Sequence, residues 1–264
     1  MNKFCFYHLK GVGNFVESEL LDKFGRLVSI LNRDNDKNTI EIASEIEYLE
    51  CFRVIKSAIR VTKDKRCIAL DKPLWRRCFS PAGINPSLAW CMCKFAGLDY
   101  SSVIIDPFCG SGTIGITAGF EFGVKKVFMS DISEKSINTT IENLRQAGRL
   151  LRSKQLKKVK TSFKAFVSDI KNLNFGQNKF THIITNPPYG LRSGKHLDNT
   201  KIYKTLACFA SKYLDDSGLC ILISQEKRLV LKVFNEFNLV DSFDVSSGGL
   251  HLKVWKFARF DTFK

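Results

Sequence analysis

No stretch of this 264-residue chain stays apolar for the roughly 20 residues that a bilayer-spanning helix needs. The opening residues, Met1-Asn2-Lys3-Phe4-Cys5-Phe6-Tyr7-His8, lack the long apolar core of a secretion signal. Cys-x-x-Cys pairs are missing too: nine cysteines are scattered, with Cys91 and Cys93 the closest in sequence. Only four histidines accompany them and none forms a zinc-like cluster, so no metal is expected. An odd count of scattered cysteines reads as reduced, mostly buried thiols in a reducing compartment. These absences predict a soluble, cytoplasmic protein. Acidic residues are also scarce, 26 against 41 lysines and arginines, for a formal charge of +15. That excess favours a polyanionic partner, nucleic acid ahead of membrane, because no basic amphipathic anchor is evident.

What remains is ordinary globular material, 44% hydrophobic, long enough for one large domain with a small appendage. No repeat or low-complexity tract interrupts it. From about residue 100 onward, short apolar runs alternate with amphipathic stretches. Strands are expected at 103–105, 126–130, 163–167, 181–185, 219–223, 239–245 and 252–258. Helices are expected up to about Phe122, from the N-cap Ser133 to Ala147 with Gly148 as its stop, and over about 200–214. Such alternation implies a mainly parallel, doubly covered sheet, and the turn Ser246-Ser247-Gly248-Gly249 adds an antiparallel edge. Residues 1–70 read as a separate small α+β unit, with a helix from about Gly11, a strand at 37–42 and a second helix over 43–61. The division expected is 1–70 and 71–264.

Ligands of such sheets bind at the carboxyl ends of the strands. Directly after the first strand of the large unit stands Asp106-Pro107-Phe108-Cys109-Gly110-Ser111-Gly112. Glycines 110 and 112 let a ligand approach the backbone, and Asp106 can accept a hydrogen bond from an ammonium group. Asp131, at the tip of the next strand, is placed for the ribose hydroxyls of an adenosine cofactor, and Asp169 follows the third strand. The loop also satisfies the dinucleotide pattern G-x-G-x-x-G through Gly115, a weak signal by itself. A carboxylate four positions before the first glycine suits a cationic amino-acid-bearing cofactor better than a pyrophosphate. Cys109 lies under this loop and reads as packing. The fourth strand runs into Asn186-Pro187-Pro188-Tyr189. Two prolines forbid both helix and ladder, so the Asn186 side chain and the Pro187 carbonyl become fixed acceptors beside the Tyr189 ring. Two acceptors and an aromatic plane can hold a planar amine edge-on and stacked.

These residues resemble a family. The stretch from Asp106 to Gly112, with Asn186-Pro187-Pro188-Tyr189-Gly190-Leu191-Arg192 and the segment at 79–89, looks like the class I S-adenosylmethionine-dependent methyltransferases. More narrowly it is similar to the RNA guanine-N2 methyltransferases that usually carry a THUMP domain. The resemblance implies a seven-stranded Rossmann-like sheet behind a small ferredoxin-like domain. It implies S-adenosylmethionine held by Asp106, Phe108, Gly110, Gly112, Thr113, Asp131, Ile132, Asp169, Ile170 and Asn186. Catalysis would fall to Asn186, Pro187 and Tyr189, with Pro188, Tyr189 and Arg192 on the substrate. RNA, most of all tRNA, is the expected partner. One departure stands out: the family inserts a THUMP domain where only residues 61–79 lie here. That leaves room for a small activator protein supplying RNA affinity. Adenine N6, cytosine N4 and protein glutamine present the same planar amine, and a non-catalytic RNA-binding subunit is a further reading. The basic run at 149–160 is either a phosphate-contacting loop or a solvated connection, and Trp75-Arg76-Arg77 either an RNA patch or a packed linker.

Overall fold

Alternation of Phe4 and Phe6 with more polar neighbours sends both rings to one side of a strand, and this strand centres the smaller of two sheets. The computed structural model describes residues 1–78, 83–153, 160–189 and 196–259. Its first sheet is antiparallel in the order β2 (Val28–Asp34), β3 (Thr39–Ser44), β1 (Asn2–Tyr7), β4 (Arg60–Lys63), β5 (Arg66–Ala69). Helix α1 (Gly13–Phe24) crosses between β1 and β2 and buries Val16 and Leu20 against Phe4, Phe6, Ile40 and Ile42. Strand order and crossover are those of a ferredoxin-like unit.

The second helix expected over 43–61 does not form. In its place come the end of β3, a 3₁₀ turn at Leu49–Val54 and an extended run into β4. The reason lies far away in sequence. Glu19, 1% exposed, accepts the backbone N–H groups of Lys56 and Ser57 at 2.9 Å each, and the Ser57 hydroxyl at 2.6 Å. Those donors are therefore unavailable to helical carbonyls. Glu19→Ala strands them in a buried place and is expected to lower stability by about 2–4 kcal/mol, as urea unfolding would register.

The larger sheet contains all seven expected strands in the order β11-β12-β10-β9-β6-β7-β8: β6 (Val103–Asp106), β7 (Lys126–Asp131), β8 (Ser162–Val167), β9 (Phe180–Thr185), β10 (Leu214–Ser224), β11 (Phe237–Ser247) and β12 (Leu250–Arg259). Strands β6 to β10 pair in parallel, whereas β12 runs antiparallel to both its neighbours. Gly248 and Gly249, at φ 59° and 78°, make the two-residue turn between β11 and β12. Consecutive apolar residues serve opposite faces: Ile104, Ile184 and Ile221 face one core, Ile105, Ile183 and Leu222 the other. The first core is covered by α2 (Pro86–Ala96), α3 (Thr113–Glu121) and α4 (Glu134–Ser153); the second by α5 (His196–Tyr213) and α6 (Lys227–Val233).

Helix α4 ignores its expected stop at Gly148 and continues to Ser153. Leu144, Ala147 and Leu150 share a stripe that packs on Trp75 and Ile116, and that burial outweighs the roughly 1 kcal/mol an interior glycine costs. Trp75 is thus a packed linker residue. Only positions 70–85 join β5 to α2. The two sheets are tied directly: Ser87 donates to the Ala58 carbonyl at 2.8 Å, and Phe15 joins Phe95 and Phe243 in a cluster of three rings.

Candidate active site

Parallel pairing brings three carboxylates to one edge of the sheet. Asp106 ends β6, Asp131 ends β7, and Asp169 follows β8 by two residues. Asp106 is 1% exposed and accepts the Thr185 hydroxyl at 2.7 Å and the Phe108 N–H at 3.1 Å. Burial, reinforced by the charge of Asp131, pushes its carboxyl up to about 7 despite those two donors. Asp131 accepts the N–H groups of Gly110 and Ser133, both at 2.9 Å, and so fixes the loop after β6 to the tip of β7. Asp169 caps a short 3₁₀ turn through the Lys171 N–H and meets the Lys171 ammonium at 3.2 Å. Next to Asp131, Ile132 is an apolar side chain 71% exposed, a ready platform for a flat ring. Ile170 by contrast packs into the core, and Phe108 leans on the same core. Thr113 is buried at the start of α3 and pairs with the Ser111 hydroxyl at 3.3 Å.

The loop glycines divide into two kinds. At Gly110, φ is +54° and a Cβ would meet nothing, so the space above it is open for a ligand. At Gly112, φ is +78° and a Cβ would come within 2.8 Å of Thr140 on α4. At Gly115 it would lie 2.5 Å from Met129 Sδ. The need for glycine at 112 is therefore a tight turn and close helix packing, not ligand approach. Gly112→Ala is expected to cost about 1–3 kcal/mol in thermal unfolding, with Gly110→Ala the milder change.

The Asn186–Tyr189 element leaves β9 beside this loop. Thr185 connects them through its bond to Asp106. Asn186 Oδ1 is buried and has no hydrogen-bond partner among the described residues, an acceptor without a donor there. Pro187 is buried, Pro188 and Tyr189 half-buried, and the Tyr189 ring packs against the first core, its phenol pushed up by burial. Arg192 and positions 154–159 of the basic run lie outside the described residues, as do positions 79–82. Cys109 is buried in the core, and burial, with Asp106 and Asp131, raises its thiol well above the ordinary range, so it packs and does not attack. His182 bonds Thr181 and the Ala96 carbonyl inside the fold.

Sequence reading missed three residues here. Thr185 braces Asp106. On α4, Thr140 donates to the Gly110 carbonyl at 2.9 Å, and Asn143 donates to the Ser111 and Cys78 carbonyls at 3.0 and 2.9 Å. The available signal was two polar residues three apart on the loop-facing side of an amphipathic helix.

A parallel sheet with one antiparallel reversal, a glycine loop after its first strand and carboxylates on three successive strand ends define a Rossmann-like nucleotide-cofactor domain. Within that class the chain belongs to the RMKL-like methyltransferase domain family, whose model matches residues 73–253. Similar proteins include the tRNA (guanine(10)-N2)-dimethyltransferase of Methanothermobacter thermautotrophicus, 32% identical over 56% of this chain and 40% of that protein. The tRNA (guanine(6)-N2)-methyltransferase of Methanocaldococcus jannaschii is 27% identical over 71% of this chain and 57% of that one. The chain spans 40% to 57% of the length of the first such curated relatives. Among solved structures, TrmN from Thermus thermophilus superposes with a TM-score of 0.80 at 15% identity, covering 98% of this chain and 100% of that one, and so has the same fold.

Proposed function

We propose that this protein transfers a methyl group from S-adenosylmethionine to the exocyclic N2 amine of a guanosine in structured RNA, tRNA being the substrate class. The observation that carries this reading is Asn186 Oδ1, without a partner among the described residues and held next to the Pro187 carbonyl at the end of β9. A buried acceptor left without a donor is costly unless a ligand supplies one, and an NH2 group supplies two.

The residues present fit the cofactor. Asp106, buried and bordered by donors on one oxygen only, suits an ammonium group. Asp131 suits a ribose diol, Ile132 the adenine face, and Asp169 its amino group. S-adenosylmethionine supplies an electrophilic methyl on a sulfonium centre. The chain's own residues do the rest. Asn186 and the Pro187 carbonyl accept both N–H groups of the base and localise a lone pair that is otherwise delocalised into the ring. Tyr189 stacks on the base, worth about 1–3 kcal/mol. A paired base has to be flipped out to enter. No strong base is needed, because the alkylated amine sheds its proton readily. Positioning supplies most of the acceleration, roughly 7–11 kcal/mol at its best.

Two lines support RNA. The relatives above are named for tRNA guanine-N2 methylation, and the charge of +15 suits a polyanion. In this reading residues 1–70 form an accessory unit to the catalytic unit at 71–264, and a small activator protein adding RNA affinity is compatible with the site. All nine cysteines are free thiols, which supports a reducing, cytoplasmic setting. The test is mass spectrometry of nucleosides from unmodified total RNA incubated with the protein and isotopically labelled S-adenosylmethionine. Label in N2-methylguanosine, absent with Asn186→Ala, is the expected result. Label in another amine would replace the substrate, and no label would defeat the assignment.

A further inference from the structure

Four polar residues next to the crevice have no part in the chemistry above. They lie where α5 meets the carboxyl end of β10, in two rungs. In the inner rung the Tyr203 hydroxyl donates to Ser224 Oγ at 2.6 Å, and both side chains are fully buried. Ser224 Oγ also accepts the Glu226 N–H at 2.9 Å, which bends the chain as it leaves the strand. In the outer rung Asn199, one helical turn before Tyr203, donates through Nδ2 to Glu226 Oε1 at 3.5 Å, the limit of a hydrogen bond. Asn199 is only 1% exposed, yet its Oδ1 has no partner among the described residues. Glu226 is half-buried.

This pair borders the proposed base site. Strands β9 and β10 are adjacent and parallel, with Thr185 opposite Leu222. Pro187 and Ser224 each stand two residues past that pair, so Glu226 leaves β10 alongside the Asn186–Tyr189 element. Tyr203 senses both neighbours: burial above all, with Glu226 and Tyr189 behind it, pushes its phenol up against the Ser224 bond.

The half-buried Glu226 carboxylate is an acceptor, so a ligand edge that satisfies it must bring an N–H donor. Guanine carries N1–H directly beside its N2 amine. Adenine and cytosine carry a lone pair at the equivalent ring nitrogen, which a carboxylate repels, and a glutamine side chain has no ring nitrogen at all. We propose that Glu226, steadied by Asn199 as a positioning residue, accepts the N1–H of the target guanine and sets selectivity for that base. This inference rests on the guanine-N2 reading above.

The experiment compares RNA carrying guanine with RNA carrying 2-aminopurine at the mapped position. 2-Aminopurine keeps the exocyclic amine but has a lone pair at N1. Wild type is expected to favour guanine by at least about a hundredfold in kcat/KM. Glu226→Gln, whose amide can donate to that lone pair, is expected to cut the preference at least about tenfold with an unchanged melting temperature. Glu226→Ala should also reduce it, whereas Glu226→Asp, which keeps an acceptor, should retain most of it. An active wild type together with an unaltered preference in Glu226→Gln and Glu226→Ala would overturn this inference alone. A wild type that never labels guanine N2 would overturn the parent reading and this one with it.

Discussion

Asn186→Ala is expected to lower kcat for RNA methylation by about 10²–10³ while leaving the melting temperature unchanged or slightly raised. The activity loss has the size seen when one preorganised hydrogen-bonding group is removed from the place where charge changes in a reaction. The stability effect follows from the folded protein. Asn186 Oδ1 is buried without a donor among the described residues, so the native state already bears its desolvation cost. Deleting the amide removes that cost together with the proposed substrate contact. Single-turnover kinetics and a thermal melt on one preparation check both halves. A large fall in melting temperature would mean that Asn186 is a structural residue, and an unchanged kcat would remove it from the chemistry.

Asp106→Asn should separate binding from stability even more sharply. The asparagine Oδ1 can still accept from Thr185 and Phe108, so the loop keeps its shape, but the charge proposed to face a cofactor ammonium is gone. Cofactor affinity by calorimetry is expected to fall at least a hundredfold, in line with the cost of losing a buried charge partner. Stability should move the other way. Burial raises the Asp106 carboxyl from 3.8 to about 7, so between those values the folded state binds a proton that the unfolded state has released. Wild-type stability therefore declines as pH rises from about 4 to 7, and the loss is complete above about 7. Asp106→Asn removes that slope, so at pH 8 the variant is expected to be the more stable protein, by up to roughly 4 kcal/mol. In its proposed role the same group governs binding. Only the ionised carboxylate pairs with an ammonium, so wild-type cofactor affinity should be about tenfold weaker at pH 6 than at pH 8. Flat affinity across that range would show that Asp106 is already ionised or does not meet the cofactor.

Both substitutions target groups that the fold holds at a cost. Asp106 is an acid buried beside another acid, and Asn186 an acceptor buried without a donor among the described residues. Energetically unfavourable burial of this kind marks positions whose partner is a ligand. Glu19 shows the contrast, since its equally buried carboxylate is fully used by Lys56, Ser57 and Lys23 and serves the fold alone.

Sequence alone determined the elements whose signal is local. Runs such as Ile104-Ile105 and Ile183-Ile184 must be strands buried on both faces. A glycine loop after one strand and two prolines after another leave few backbone conformations, which is why the loop at 106–112 and the element at 186–189 were legible in advance. The tertiary structure decided whatever depends on partners distant in sequence. Residues 43–61 turn and extend because Glu19, about forty positions away, takes the backbone donors a helix would use. Gly148 fails to end α4 because Trp75 rewards another turn of burial. Thr185 reaches Asp106 across 79 positions, Asn143 reaches Cys78 across 65, and Asn199 meets Glu226 across 27. No periodicity encodes such contacts, since they arise only when strands distant in sequence are set side by side and their ends converge on one crevice.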